Sequence, residues 1–195
     1  MLLKKTENSE RGVFSAMFIG VMVFVLVIMA LAISVTGAEA AHTRQVRIEN
    51  VAKEIRMDAS NLVKFSDNPG RDVSQLMVDT IRKNGYQGGI EIYFYELPKS
   101  SLPSSASPDT DRYYGTAIRL TRTYDAGFAK NFGASTWPVS STLASVSHAY
   151  SDGKIWRPTG NSNGRYTSTS GNTIIYEQIS MDKYPNELIE KLKLK

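Results

Sequence analysis

The chain contains no cysteine, and this absence excludes three kinds of protein at once. A disulfide framework, a zinc site built on thiolates and an enzyme with a thiol nucleophile all require that residue. Histidine is scarce too, with 2 in 195 residues. The net charge of +4 at pH 7 is modest, and the basic residues are spread along the chain. The sequence therefore does not indicate a nucleic-acid-binding surface.

The residue types that could carry chemistry are interpreted as ordinary surface groups. His42 and His148 are expected to be surface or interface residues. Asp109 and Asp111 lie in a stretch rich in proline and serine and lack the spacing of a calcium loop, so we interpret them as solvated acids. The sequence predicts a protein that is not an enzyme and has no catalytic, cofactor or metal site.

One long apolar run stands near the N-terminus. Residues 13–38 carry no charged side chain, whereas a helix needs roughly 20 such residues to cross a hydrocarbon core of about 30 Å. The apolar region of a signal peptide is usually only about 7–15 residues long. A retained membrane anchor is therefore favoured, although Ala38-Glu39-Ala40 also fits a signal-peptidase site before Ala41.

Basic residues flank the apolar run on both sides, so their count alone does not set the orientation. The segment before the run is short, and the part after it is rich in serine, threonine, tyrosine, glycine and asparagine. We therefore expect a single-pass protein of the cytoplasmic membrane, with its N-terminus inside and its C-terminal domain extracytoplasmic.

The residues after the run continue in a helical pattern. Ile48, Val51, Ile55, Leu62 and Phe65 recur at spacings of three, four and seven, which predicts one apolar stripe. Charged residues fall on the other faces, and these are Arg47, Glu49, Lys53, Glu54 and Arg56. No proline interrupts residues 13–65, so we expect one nearly continuous helix of about 50 residues, roughly 80 Å long.

The remainder predicts a small α+β domain. Turn chemistry at 66–70 precedes a second helix that Asp72 could cap and that ends at Asn84-Gly85. "IEIYFYEL", "YYGTAIRLTRTY" and "TLASVSHAY" are strand candidates, "GRYTSTSGNTIIYEQI" predicts a hairpin turning at 170–172, and "YPNELIEKLKLK" predicts a closing helix. The expected architecture is a long helix packed on a small antiparallel sheet, shaped like a lollipop.

The N-terminal region resembles that of TadE/TadG-like proteins, which are minor pilins (pseudopilins) of the tight-adherence (Flp) type IV pilus system. The resemblance covers residues 9–62 and is carried by Arg11-Gly12, the apolar run and "AAHTRQVRIENVAKEIRMDA". Together with the patterns above, it divides the chain into a basic leader at 1–12, a transmembrane helix at 13–38, a helical extension at 39–65 and an extracytoplasmic domain at 66–195, the last of which lies beyond the resemblance.

Processing is a further implication of the resemblance. In processed members a prepilin peptidase cuts after the leader glycine, which would place the cut between Gly12 and Val13. The fifth residue of the mature chain is typically glutamate, and here it is Met17. TadG-like members also lack that glutamate, so both a cut and an uncut chain remain open.

Small residues recur at four-residue spacing along the apolar run, and they are Ala16, Gly20, Ala30, Ser34 and Ala38. Such spacing allows helices to approach closely, although small residues are common in any membrane helix. The resemblance implies partners that include other pilin subunits and the pilus assembly platform, within an oligomeric assembly on a cell-surface pilus. The alternatives are a membrane-anchored extracytoplasmic binding or sensory module and, more weakly, a secreted protein cut after Ala40.

Overall fold

The computed structural model describes residues 3–58, 62–63, 66–97, 102, 104–107, 110–133, 136–150, 163–168, 175–186 and 190; the side chains of 3–11, 56–58, 128, 150 and 181 are not described. The chain divides into two compact units. The first comprises Met1–Ala41 and Thr123–Trp137, and the second comprises His42–Arg122 and Pro138–Lys195.

The first helix, α1, runs without interruption over Leu3–Asp58, a length of 56 residues. At 1.5 Å per residue it is about 84 Å long. Its continuity follows from the lack of proline, and Gly20 and Gly37 are accommodated within it. The predicted long helix is therefore confirmed as far as Asp58, and Leu62 and Val63 are helical again.

The second helix, α2, spans Pro69–Lys83. Its N-cap is Asn68, whose side chain accepts a 3.1 Å hydrogen bond from the Arg71 backbone N–H. The expectation that Asp72 would cap the helix is wrong. Proline lacks a backbone N–H and suits the first helical position, so the helix starts one turn earlier than expected. The predicted end is confirmed, because Asn84 is the C-cap and Gly85 follows with a φ of 79°.

Five strands form one antiparallel sheet in the order β3-β2-β1-β4-β5. Their ranges are Gly89–Glu96 for β1, Asp111–Asp125 for β2, Thr136–Tyr150 for β3, Gly164–Ser168 for β4 and Ile175–Glu177 for β5. The central strand β1 pairs with β2 and β4, with Ile92 opposite Ile118 on one side and Tyr166 on the other. Two short 3₁₀ helices, Gly127–Phe132 and Met181–Lys183, complete the described elements.

The face of the sheet that carries Ile90, Ile92 and Phe94 forms the main core of the second unit. The C-terminal part of α1 packs there through Ile48 and Ala52. Further members come from α2 and from β2, and they are Val73, Met77, Val78, Ile81, Tyr114, Ile118 and Leu120. Because the core draws on helices and an antiparallel sheet, the predicted α+β class is confirmed.

The opposite face of the sheet is covered as well. Tyr93 is buried there, with its ring centroid 6.1 Å from that of Tyr184 and with Ala117, Ala144 and Ile179 in the same cluster. The Tyr184 hydroxyl donates a hydrogen bond to the Phe94 carbonyl. The chain segment after β5 therefore closes this face.

The stripe by which α1 packs within the second unit differs from the predicted one. Its buried residues are Gln45, Ile48, Glu49 and Ala52, whereas Val51 and Ile55 are only half-buried. The expectation that Glu49 lies on a solvent face is wrong, because its exposed fraction is 2%. The residues of this stripe also recur at spacings of three, four and seven. The stripe is displaced from the predicted one by a fraction of a turn around the helix axis.

The C-terminal hairpin is confirmed by the antiparallel pairing of β4 with β5, in which Tyr166 lies opposite Tyr176. Its predicted turn at 170–172 lies outside the described residues. Most of the predicted closing helix also lies outside the described residues, and helical backbone is described at Asn186 and Glu190.

Candidate functional site

The first unit contains the apolar half of α1. Its large side chains between Val13 and Leu26 are all about half exposed or more, around the whole circumference of the helix. A helix that is apolar on every side is stable in lipid rather than in water. Within the described residues, one helix is long and apolar enough to cross a membrane, and it is Gly12–Ile55. The apolar part of α1 is therefore compatible with a single-pass membrane anchor.

The predicted processing junction lies inside this helix. Gly12 and Val13 are helical and exposed, and a Cβ added at Gly12 would meet no heavy atom within 4 Å. Both residues are thus exposed on the helix surface, and no other part of the described chain packs on Gly12.

The small residues proposed for helix packing separate into two groups. Ala16 and Gly20 are exposed, whereas Ala30 and Ser34 are buried and Ala38 is half-buried. The Ser34 hydroxyl donates to the carbonyls of Ala30 and Ala126, both at 2.9 Å. Part of the predicted contact surface for other helices is therefore occupied by the chain's own segment Thr123–Trp137.

Gly37 belongs to the same contact and was not among the predicted packing residues. The Tyr124 hydroxyl and ring lie where a Cβ on this residue would stand. A glycine inside an uninterrupted helix is a signal for close approach, and Gly37 stands four residues before Ala41 and three after Ser34 on the covered side.

A buried polar cluster holds the second unit together. The Glu49 carboxylate accepts a 2.7 Å hydrogen bond from the Ser141 hydroxyl on β3 and another from the Leu120 backbone N–H on β2. One turn earlier on α1, the Gln45 side-chain amide donates to the Tyr86 hydroxyl at 3.0 Å. Glu49 lies beyond the apolar run, and its burial raises the pKa to about 7, against a usual value of 4.5.

Sequence reasoning missed this cluster, although a signal was present. Gln45 and Glu49 stand at positions i and i+4, on either side of Ile48 and before Ala52. The stripe formed by residues 45, 48, 49 and 52 contains Ile48 and Ala52, the two α1 residues that pack in the core. Because both polar residues lower the apolar character of that stripe, hydrophobic periodicity alone favours the neighbouring stripe.

His148 and Asp111 form a second polar pair. The His148 Nε2 atom lies 3.0 Å from Asp111 Oδ1, and the imidazole stacks on Tyr113 with ring centroids 4.6 Å apart. The expectation that Asp111 is a solvated loop acid is wrong, since it begins β2 and is buried. The backbone N–H of Ser107 and the His148 side chain lower the pKa of its carboxyl. Asp109 lies outside the described residues.

A buried arginine links β1, β2 and the segment after α1. Arg112 is 1% exposed, and its Nε donates to Glu96 Oε1 at 2.5 Å, while a guanidinium nitrogen donates to the Val63 carbonyl. A buried charge is tolerated only when it is paired and hydrogen-bonded, and both conditions hold here. This arrangement stabilises the fold.

Metal-binding potential is low in the part of the chain that the structure describes. No group of three or more histidine and acidic side chains comes together there. The His148–Asp111 pair supplies two candidate ligands, fewer than such a group requires.

The expectation that no serine of the chain lies in a Gly-x-Ser-x-Gly motif is wrong, because a pentapeptide of that form occupies 160–164. In α/β hydrolases the motif stands on a turn between a strand and a following helix. Here its last residue, Gly164, instead begins strand β4. Ser162 lies outside the described residues, and the order of elements does not support a nucleophile.

No protein-family model, curated protein or solved structure matches the chain.

Proposed function

We propose that the protein is a minor pilin-like, non-enzymatic subunit that is anchored in the cytoplasmic membrane by α1 and assembles with other pilin subunits in a Flp-type pilus or related system. The observation that carries the proposal is the division of α1. Its first half exposes apolar side chains on all sides, and its second half packs on an antiparallel sheet through Ile48 and Ala52.

This division fits a subunit that waits in the bilayer before assembly. The exposed half would be stable first in lipid and then among other apolar helices, because both surroundings exclude water. Ala16 and Gly20 are exposed and separated by one turn, so they leave a strip where another helix could approach closely. The assembly platform and a prepilin peptidase are the further partners that the resemblance implies.

The decisive experiment determines the N-terminal residue of the protein purified from membranes of its native host. A start at Val13 would support recognition by a prepilin peptidase. A start at Met1 would contradict processing, and a start at Ala41 would contradict a retained anchor.

Matched variants sharpen this experiment. Gly12→Leu should abolish a start at Val13, because the resemblance places the cut directly after that glycine. Gly20→Leu is the control, since an added Cβ meets nothing within 4 Å at either glycine. Equal processing of both variants would contradict the assignment of the junction.

The second candidate is a membrane-anchored extracytoplasmic binding or sensory module that acts without assembling. It is favoured by the burial of Ala30 and Ser34 against the chain's own segment Thr123–Trp137, which removes part of the helix from contact with neighbours.

Cysteine variants discriminate the two candidates, because the natural chain has no cysteine. Ala16→Cys should form disulfide-linked dimers in native membranes treated with a copper–phenanthroline oxidant if the helices assemble. Ala32→Cys, also exposed on α1, controls for random collision. Equal, low yields at both positions would favour the isolated module.

A further inference from the structure

The tip of the β2–β3 hairpin packs beside the membrane helix. This tip, Thr123–Trp137, comprises the end of β2, the 3₁₀ helix Gly127–Phe132 and the start of β3, and it forms one compact unit with Met1–Ala41. The Ser34 hydroxyl bonds to the Ala126 carbonyl, and Tyr124 lies against Gly37. Ala126 and Ala129 are buried. The tip therefore lies alongside residues 30–37 of α1.

The length of the apolar run places this contact at the membrane boundary. Arg11 and Gly12 directly precede the apolar run, which begins at Val13. Ala30 is the first buried residue among the described side chains of α1. Residues 13–29 would span only about 26 Å at 1.5 Å per residue, which is less than the roughly 30 Å of a hydrocarbon core. About 20 residues are needed, and counted from Val13 they reach residue 32. The outer edge of the hydrocarbon thus falls at the level where the tip packs.

The exposed residues of the tip have the chemistry of a membrane interface. Phe132 is 44% exposed, and Gly127, Lys130 and Asn131 are exposed beside it. Lysine buries its aliphatic stem while its ammonium group reaches the headgroups, and aromatic side chains collect at that depth. The Lys130 ammonium also pairs with Asp125 at 2.5 Å, within the tip itself.

We propose that the β2–β3 tip is a second membrane contact, whose exposed face with Lys130 and Phe132 lies in the lipid headgroup layer next to α1. The occupant of this face is the lipid interface, because the tip packs against residues 30–37 of the apolar helix that enters it. The inference rests on α1 being a membrane anchor and not on assembly into a pilus.

Depth measurements on the full chain test the proposal. Because the natural chain lacks cysteine, single-cysteine variants can each be spin-labelled and reconstituted in nanodiscs of phosphatidylethanolamine and phosphatidylglycerol. The probe sites are Phe132→Cys and Asn131→Cys. The references are Phe18→Cys, on the apolar part of α1, and Val146→Cys, which is 43% exposed on β3 in the second unit.

The ratio of relaxation by oxygen to relaxation by a water-soluble nickel chelate reports depth, since oxygen concentrates in hydrocarbon. We expect both tip sites to give ratios between those of Phe18→Cys and Val146→Cys. Two sites are used so that a local disturbance at either one does not decide the result.

Three results would overturn the proposal. Tip ratios equal to that of Val146→Cys would place the tip in water. Weak relaxation of both tip labels by both reagents would show that protein, such as a second copy, covers the face. A Phe18→Cys ratio equal to that of Val146→Cys would remove the membrane anchor itself. The pilin proposal is tested separately, by the N-terminal residue of the purified protein. A start at Met1 would count against processing and would leave the depth result unchanged.

Discussion

The Glu49 carboxylate accepts a 2.7 Å hydrogen bond from the Ser141 hydroxyl, and the two residues are 92 positions apart in the chain. Both are buried, so the bond joins α1 to β3 inside the second unit. A carboxylate in such a place is favoured in its protonated form, since burial penalises the charge more than the Ser141 hydroxyl and the Leu120 backbone N–H compensate for it. The consequence is a stability that depends on pH near neutrality.

The first prediction concerns the sign of this dependence. The pKa of Glu49 is about 7 in the fold and near 4.5 when unfolded, so the folded state binds the proton more tightly. Its stabilising contribution is fully present below about pH 4.5 and is lost as the pH rises to about 7. Each pKa unit corresponds to about 1.4 kcal/mol. Allowing for screening by water, we expect a loss of about 2 kcal/mol across that window.

Glu49→Gln should remove this dependence, so its free energy of unfolding should change less between pH 5 and pH 8 than that of the natural chain. Denaturant unfolding of the full chain in detergent, followed by near-ultraviolet circular dichroism, measures the effect. Glu54→Gln, at an exposed position on the same helix, is the control. The same pH slope in the Glu49 variant and the natural chain would contradict the assignment.

The second prediction concerns Arg112. Its substitution by methionine removes the guanidinium that bonds to the Glu96 carboxylate, at a site where the arginine is fully buried. Breaking a buried pair from one side costs about 3–5 kcal/mol. Arg71→Met removes an arginine whose pair with Asp72 is well exposed, and such pairs contribute about 0–1 kcal/mol. Thermal or denaturant unfolding should separate the two variants clearly, and similar losses would refute the structural role of Arg112.

The third prediction concerns the contact between α1 and the hairpin tip. Ala30→Leu adds three carbon atoms where the helix is covered, so it should push the tip away or strain it. Hydrogen–deuterium exchange of peptides from Thr123–Trp137 should accelerate in this variant. Ala32→Leu places the same side chain on the exposed side of the helix and should leave exchange unchanged. Unchanged protection in both variants would show that the tip does not depend on this face.

The fourth prediction concerns Gly164, the first residue of β4. A Cβ there would lie 2.6 Å from the Glu177 carbonyl oxygen and 2.6 Å from the ring of Tyr176. Because one of these neighbours is backbone, β5 must shift, and overpacking of this kind typically costs about 1–3 kcal/mol. Gly164→Ala should therefore lower the free energy of unfolding. Gly20→Ala, where an added Cβ meets nothing within 4 Å, should not; equal stability of both variants would count against the described β4–β5 register.

Several features follow from the sequence because their causes are local. The absence of proline and charge sets the length and apolar character of the first part of α1. Alternation of apolar residues sets the buried face of β1, and Asn84-Gly85 ends α2. Local pattern erred at Asp72, because Asn68 followed by Pro69 is the stronger helix start.

Tertiary structure decided which of two adjacent stripes on α1 faces the sheet. The stripes through Val51 and through Glu49 satisfy the same periodicity, and a small rotation of the helix exchanges them. Ser141 and Leu120 supply the hydrogen bonds that make the Glu49 stripe acceptable, and both are distant in sequence. Likewise, the small residues Ala30 and Ser34 are compatible with another helix or with a strand hairpin, and only the contact with Ala126 shows that the chain itself fills the site. Spacing in a sequence marks a surface for packing, whereas its occupant depends on contacts made by residues far along the chain.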